Sequence, residues 1–334
     1  RVCEKCGASY HIINKKSKVE GVCDCCGGKL VTRKDDEPAT VLDRLKAYHE
    51  QTEPLVAFYK ERNKLAVISL IILLVLILLA IFADKICTYD PLAENYKENG
   101  MIDKYSAPSA EHILGTDSIG RDVFARLLYG GRISLSVGLI SCLISVAIGI
   151  LAGCLACFGG RLADSLIMRT VDVVICFPVM FLIITISCFI TPTIYTIMLI
   201  IGLVSWTGTA RLVRGEILKI RELEYVQSSI VLGAGNVRIV FTHVLPNIIA
   251  PVVVQATLSI ASAILTEASL SFLGVGVAPP TPSWGNMINA ATNLTTLLNR
   301  PWIWLPPGLC ILVTVLCINL IGDGLRDAFD AKTR

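Results

Sequence analysis

Leu-Ala-Val-Ile-Ser-Leu-Ile-Ile-Leu-Leu-Val-Leu-Ile-Leu-Leu-Ala-Ile-Phe-Ala, residues 65–83, decides the class of fold: 19 residues pass without a charge. A helix rises about 1.5 Å per residue and the hydrocarbon core of a bilayer is about 30 Å thick, so about 20 such residues cross it. In lipid every backbone amide must be satisfied inside the element, which leaves a helix as the solution for one isolated run. Lys60, Arg62 and Lys64 stand just before the run. By the preference of basic residues for the cytosolic side, they place its N-terminal end in the cytosol.

Working outward, five more runs read as spanning helices: 134–158, 166–190, 195–213, 248–272 and 302–321. Each mixes Gly, Ser, Thr or Pro with aliphatic residues, as helices packed against one another in a membrane do. The whole chain of 334 residues is 54% hydrophobic and 17% charged, against about 25% charged in soluble domains. The net charge of +3 is too small to argue for a nucleic-acid partner. Six spans return the C-terminus to the cytosol, and Arg161, Arg214, Lys219, Arg221, Arg238, Arg326, Lys332 and Arg334 fall on that side. The connection 84–133 then lies outside and 216–247 inside.

The inner connection 216–247 reads as two short helices broken at Gly233-Ala234-Gly235. Val237, Val240, Phe241 and Val244 recur at helical spacing and give the second piece one apolar face. Periodicity alone leaves two uses open, an interfacial anchor or a docking surface for a partner. Among polar residues inside spans, Arg169 and Asp172 stand three apart and are expected to pair on one helix face. Glu267, late in the fifth span, either lines the solute pathway or bonds a neighbouring helix. Thr185, Ser187, Thr207, Thr209 and Ser262 are expected to be packing groups.

Residues 1–63 are a separate region, dense in Lys, Glu, Asp and Arg. Cys3-x2-Cys6 and Cys23-x2-Cys26, sixteen residues apart, have the spacing of a four-thiolate Zn2+ site. Gly7 and Gly27 follow the second cysteine of each pair and supply the bend. Cys25 is the fifth thiol of this segment and is not expected to be a ligand. Such a ribbon either binds nucleic acid or only stabilises a small β/α fold.

The inner connection also resembles the signature loop of ATP-binding-cassette importer permeases. That loop has a Glu-Ala-Ala triplet, a Gly four residues on, and Leu-Pro about a dozen later. Here Gly233 and Leu245-Pro246 fit, whereas Gln227-Ser228-Ser229 replaces the triplet and His243 stands where an aliphatic residue is usual. His112-Ile-Leu-Gly-Thr-Asp117, Gly120-Arg-Asp122, Leu265-Thr-Glu-Ala-Ser-Leu-Ser-Phe-Leu-Gly274, Pro279-Pro-Thr-Pro-Ser-Trp-Gly-Asn286 and Gly322-Asp-Gly-Leu-Arg-Asp327 resemble the dipeptide/oligopeptide/nickel subfamily, second permease type. The resemblance implies an all-α six-span bundle and a homologous permease subunit as partner. It further implies two cytosolic ATPase subunits, an external solute-binding protein and a bacterial plasma membrane. No Gly-x-x-x-x-Gly-Lys-Ser/Thr loop occurs, so ATP acts through the partner subunits. The coupling element is then expected at Tyr225, Val226, Gln227, Ser228, Ser229, Ile230, Leu232, Gly233 and Ala234, with Leu245 and Pro246 closing it. Nickel-chelate import is the alternative to peptides.

Arg1-Val-Cys, Gly7-Ala-Ser-Tyr-His11, Lys18-Val-Glu-Gly-Val-Cys23, Thr32-Arg-Lys-Asp-Asp36 and Thr40-Val-Leu-Asp-Arg-Leu45 resemble the zinc-bearing lid of a bacterial adenylate kinase and the helix after it. In that family the arginines matching Arg1, Arg33 and Arg44 contact phosphates. The family's phosphate loop precedes the lid and is not in this sequence, so phosphotransfer by this chain is not expected. A natural fusion, a shortened fusion and an artificial join all fit the sequence. The switch near Arg62-Asn63, without a Gly/Ser/Pro linker, favours a join that is accidental or artificial.

Overall fold

A computed structural model describes residues 2–10, 17–19, 21–31, 53–97, 99–190 and 193–330. The chain divides into two compact units, Arg1–Asn63 and Lys64–Arg334. In the first, strand β1 (Val2–Cys3) pairs antiparallel with β2 (Leu30–Val31), Val2 opposite Val31 and Cys3 opposite Leu30. Two tight turns hang on this pair, closed by Gly7 N–H to Cys3 O and Gly27 N–H to Cys23 O. Gly7 and Gly27 have φ of 72° and 67°, the left-handed region that glycine enters without a steric cost. The expected helix after the lid lies outside the described residues over positions 40–52, as do Arg1, Arg33 and Arg44.

The second unit is helical. The apolar part Lys64–Ile81 of α1 (Glu53–Ile81) is followed by the short α2 (Ala83–Ile86). Arg132 binds the carbonyls of Ala80 and Ile81 and the carboxylate of Asp84. It thereby satisfies acceptors that a helix end leaves open. Then come α3 (Val123–Phe158), α4 (Gly160–Cys176), α5 (Val179–Ser187), α6 (Ile194–Arg221), α7 (Glu224–Val231), α8 (Asn236–Ile239), α9 (Leu245–Phe272), α10 (Trp284–Ile288), α11 (Leu294–Asn299) and α12 (Pro301–Asp330). Among the described residues five helices are long and apolar enough to cross a membrane, or six if the bent pair α4–α5 counts as one span.

The expected span 166–190 falls on that bent pair. Its two helices meet at 88° around Phe177-Pro178. Proline lacks the N–H for the helix ladder and drives the residue before it out of helical geometry; Phe177 sits at φ −91°, ψ 135°. Of the other expected spans, the first ends at Ile81 rather than at residue 83, and the remaining four are longer than expected. α3 begins at Val123 because the Asp122 side chain accepts a bond from Ala125 N–H, an N-cap. Helix α3 lies directly on α6: a Cβ on Gly149 would stand 2.5 Å from Thr209 Cβ, and one on Gly153 2.6 Å from Val213 Cγ1. Small residues four apart allow this approach, and Val137, Ile197, Ile201 and Leu270 fill the core above it.

The segment between α2 and α3 is held by polar bonds rather than regular structure. His112 is buried, its ring tilted by 37° against that of Tyr89 at 4.7 Å, with Nδ1 2.9 Å from Asp122 Oδ2 and Nε2 3.8 Å from Asp103 Oδ2. Asp117 takes Arg121 at 2.8 Å and Arg126 at 3.7 Å, and Arg126 donates to the carbonyls of Pro91 and Pro280. The motifs at 112–117 and 120–122 are therefore packing motifs, and they seat the segment on α3.

Candidate functional site

The hairpin between α6 and α9 is the most distinct local structure of the second unit. α6 runs on to Arg221, so the connection is shorter than 216–247 implies. α7 ends with Gly233 N–H on Ile230 O at 2.9 Å and Ala234 N–H on Ser229 O at 3.0 Å. This is the paired-bond C-cap that needs a left-handed residue. Gly233 supplies it at φ 83°, and a Cβ there would meet nothing within 4 Å. The requirement is on backbone sign, not on space.

Helix α8 does not continue directly into α9. Val240–Val244 form one π turn, whose wider ring inserts an extra residue and rotates the faces. Ile239 and Val244, five apart, consequently lie on the same buried side, with Val226, Val213, Ile217 and Ile248. Of the residues expected to share one apolar face, Val244 is buried whereas Val237 and Phe241 are 72% and 68% exposed. With Val231 at 84% and Leu232 at 87% they make an apolar tip on a hairpin whose base is firmly packed.

The two departures from the signature meet each other. Ser229 Oγ lies 3.1 Å from His243 Nε2, and the His243 ring stands 5.6 Å from that of Tyr225. Asn247 Nδ2 donates to His243 O at 2.6 Å and to Tyr225 Oη at 3.3 Å. Ser228 and Ser229 donate back to Glu224 O and Tyr225 O, and Gln227 Nε2 bonds Arg221 O at 2.7 Å. Leu245 and Pro246 open α9, where a missing N–H is tolerated.

A cavity of about 360 Å³ lies among α3, α5, α6 and α9 and is lined by Ser141, Ser145, Thr207, Gln255, Ser259 and Ser262 together with apolar neighbours. Ser145 Oγ is buried and has no hydrogen-bond partner among the described residues. Thr207 and Ser262, expected as packing groups, thus face this space. Glu267 does not: it is fully buried, taking bonds from Ser134 Oγ at 3.1 Å and Ser271 Oγ at 2.8 Å. Those hydroxyls in turn accept from Trp284 N–H and Val277 N–H, so the carboxylate ties α3 and α9 to the connection between α9 and α10. Asp172 is paired with Arg211 at 2.5 Å, not with Arg169. The guanidinium of the facing helix reaches it across the α4–α6 groove.

In the first unit the sulfurs of Cys3, Cys6, Cys23 and Cys26 lie within 4.8 Å of one another, with Cys3 to Cys26 at 3.4 Å and Cys6 to Cys23 at 3.5 Å. A tetrahedron with metal–sulfur bonds of about 2.3 Å has edges of about 3.8 Å, so this group of thiols fits a metal ion. Cys25 is exposed and outside it. Two residues that spacing did not single out belong to the site. Tyr10 Oη bonds Cys23 Sγ at 3.5 Å and accepts from Asp24 N–H at 2.8 Å; its bond holds the Cys23 thiol down to about 6. A Cβ on Gly28 would come within 2.9 Å of Cys3 Sγ and 3.3 Å of Cys26 Sγ.

Residues 145–334 match the family described as the binding-protein-dependent transport system inner membrane component. Residues 61–108 match the N-terminal TM domain of oligopeptide transport permease C, and residues 1–35 the active-site lid of adenylate kinase. A Brucella suis biovar 1 protein named as a peptide permease is 46% identical over 273 residues, covering 81% of this chain and 88% of the relative. The dipeptide transport system permease protein DppC of Alkalihalophilus pseudofirmus is 40% identical over 274 residues, 82% of this chain and 88% of the relative. Among solved structures, an inward-facing conformation of the MetNI methionine ABC transporter superposes with a TM-score of 0.51 at 17% identity. It covers 61% of this chain and 95% of that one, a likeness of fold.

Proposed function

The chain belongs to the family of binding-protein-dependent transport system inner membrane components, and from that premise we propose that it is the permease subunit of an ATP-driven importer of dipeptides or oligopeptides. The observation that carries this reading is the apolar tip Val231, Leu232, Val237 and Phe241 on a hairpin whose own core is already complete. A packed hairpin that leaves aliphatic and aromatic side chains in water has the form of a plug for a groove in another protein. The partner is an ATPase subunit, one of two. Closure of the ATPases then moves α6 and α9, which are continuous in packing with the hairpin.

The rest of the assembly follows the same reading: a second, homologous permease and an external binding protein that delivers the solute. The hairpin and both termini are cytosolic, and the coupling element is Tyr225 to Ala234 with Leu245-Pro246. The cavity with the unpartnered Ser145 hydroxyl is the candidate solute pathway, and hydroxyl and amide groups there suit the backbone of a peptide. Glu267 serves as the strut behind that pathway. The bundle alternates access between two states, each favoured by a different nucleotide state of the partners. In the head, Cys3, Cys6, Cys23 and Cys26 hold Zn2+, which stabilises the lid-like fold.

The test is co-purification of the permease pair with its ATPases, followed by ATP hydrolysis with and without binding protein and peptide. Peptide-stimulated hydrolysis in liposomes supports the reading. A chain that captures no ATPase, or hydrolysis indifferent to every peptide while a nickel chelate stimulates it, overturns the peptide assignment.

A further inference from the structure

The hairpin end of the bundle carries a second feature, which the transport reading does not use. A cleft of about 670 Å³ between α4 and α6 is lined by Arg161, Arg169, Arg211 and Arg214 with Asp164 and Asp172. Arg214 clasps Asp164 through both Nε and Nη2, at 2.6 and 2.7 Å, and Arg211 takes Asp172. Those two pairs consume both carboxylates. Arg161 and Arg169 have no ion-pair partner among the described residues, so four guanidinium groups against two carboxylates leave the cleft two positive charges in excess.

Helix α4 sets this charge beside a greasy strip. Leu162, Leu166, Arg169 and Val173 recur at i, i+4, i+7, i+11, which is one stripe of a helix. Leu162 is 81%, Leu166 69% and Val173 58% exposed. Arg161, Ser165, Met168 and Asp172 form the adjoining stripe, which lines the cleft. One helix thus presents, side by side, a track for hydrocarbon and a cup of guanidinium donors. Guanidinium forks match phosphate oxygens two at a time, and acyl chains match the leucine track. Charge complementarity and continuity with an apolar face together fit one class of molecule.

We infer that this cleft binds the headgroup phosphate of an anionic phospholipid, with an acyl chain laid along Leu162, Leu166 and Val173. The chemistry shared with free phosphate is recognition of the phosphate oxygens; the leucine track selects the lipid. This site is independent of which solute is moved, and its failure leaves the transport reading untouched.

The complex with its ATPases, in nanodiscs of phosphatidylcholine, is exposed to a trace of photoactivatable phosphatidylglycerol, and the labelled peptides are mapped by mass spectrometry. Labelling is expected within 160–176 and is displaced by unlabelled phosphatidylglycerol. Each unpaired arginine is worth about fivefold near an anionic surface, so the double variant Arg161→Gln, Arg169→Gln loses roughly thirtyfold. Arg161→Lys, Arg169→Lys, which keeps the charge, loses less than the glutamine pair. If the double variant does not assemble, each single variant is expected to lose about fivefold. Equal labelling by a phosphatidylcholine probe, an unchanged signal in the glutamine variants, or displacement by inorganic phosphate as effective as by lipid overturns the proposal. So does a cross-link from 160–176 to the second permease with the lipid probe excluded.

Discussion

Leu232→Ala separates docking from folding more cleanly than any other change in the hairpin. Its side chain is 87% exposed, and exposed substitutions of this kind alter stability by about 0.5 kcal/mol or less. Removing three carbons costs nothing else unless a partner covers them. If an ATPase groove buries the tip, each lost methylene-sized group is worth about 0.8 kcal/mol, or about 2.4 kcal/mol in all. That is roughly fiftyfold in affinity. The assay is a titration of purified ATPase subunits onto the immobilised permease pair, read beside peptide-stimulated hydrolysis in liposomes. Leu298→Ala, on α11 and 69% exposed, serves as a control of like chemistry at the other end of the bundle. Both variants are expected to melt with wild type, and only Leu232→Ala to lose affinity. Affinity within twofold of wild type for Leu232→Ala would refute the assignment of the tip as the ATPase contact.

Gly28→Ala pushes a methyl group to within 2.9 Å of Cys3 Sγ; the expected result is at least a tenfold drop in affinity for Zn2+ or Co2+, followed by competition with a chromophoric chelator. In the metal-free protein the Cys23 thiol is depressed from 9.0 to about 6 by the Tyr10 hydroxyl. Thiolate character at Cys23 therefore persists below the ordinary thiol range and is lost only as the pH falls through about 6; alkylation of the Cys23 peptide against pH should show this, with Tyr10→Phe moving the midpoint upward. Glu267→Ala leaves Ser134 and Ser271 without their acceptor in a buried site, a loss of about 1–3 kcal/mol visible as a lower melting temperature in detergent, and Glu267→Gln is expected to recover part of it. Ser229→Ala and His243→Leu should be non-additive, with a coupling of about 0.5–1.5 kcal/mol, read from amide exchange over 224–244.

What sequence conveyed here, and what it did not, divides along physical lines. Apolar length marks the membrane segments well, because the bilayer imposes a single dimension. It is blind to direction, so residues 166–190 read as one span with no sign of the 88° bend at Phe177-Pro178. The proline was in plain view, but a proline within an apolar run is compatible with a straight, kinked or broken helix until packing decides. Cysteine spacing located four thiols, whereas Tyr10 and Gly28 reach the same point only through the fold of the turns. Helical periodicity puts Val237, Val240, Phe241 and Val244 on one apolar face, whereas Val244 is buried and Val237 and Phe241 are exposed. The π turn at Val240–Val244 inserts a residue, and no periodic pattern anticipates an insertion.

The hairpin shows how a departure from a family pattern is to be weighed. Taken singly, Ser229 in place of a small apolar residue and His243 in place of an aliphatic one each weaken the likeness, since each sets a polar group in a hydrophobic hairpin. The two departures are not independent: fourteen positions apart in sequence, their polar atoms stand 3.1 Å apart, and Ser229 also keeps a bond to the Tyr225 carbonyl on its own helix. Tyr225 and Asn247 then pack and bond around the same imidazole. The pair leaves the hairpin's apolar core untouched, because Val226, Ile239 and Val244 point the other way. The altered positions therefore bear on how stiffly the hairpin is braced, while its exposed tip, built from Val231, Leu232, Val237 and Phe241, keeps the surface on which docking depends.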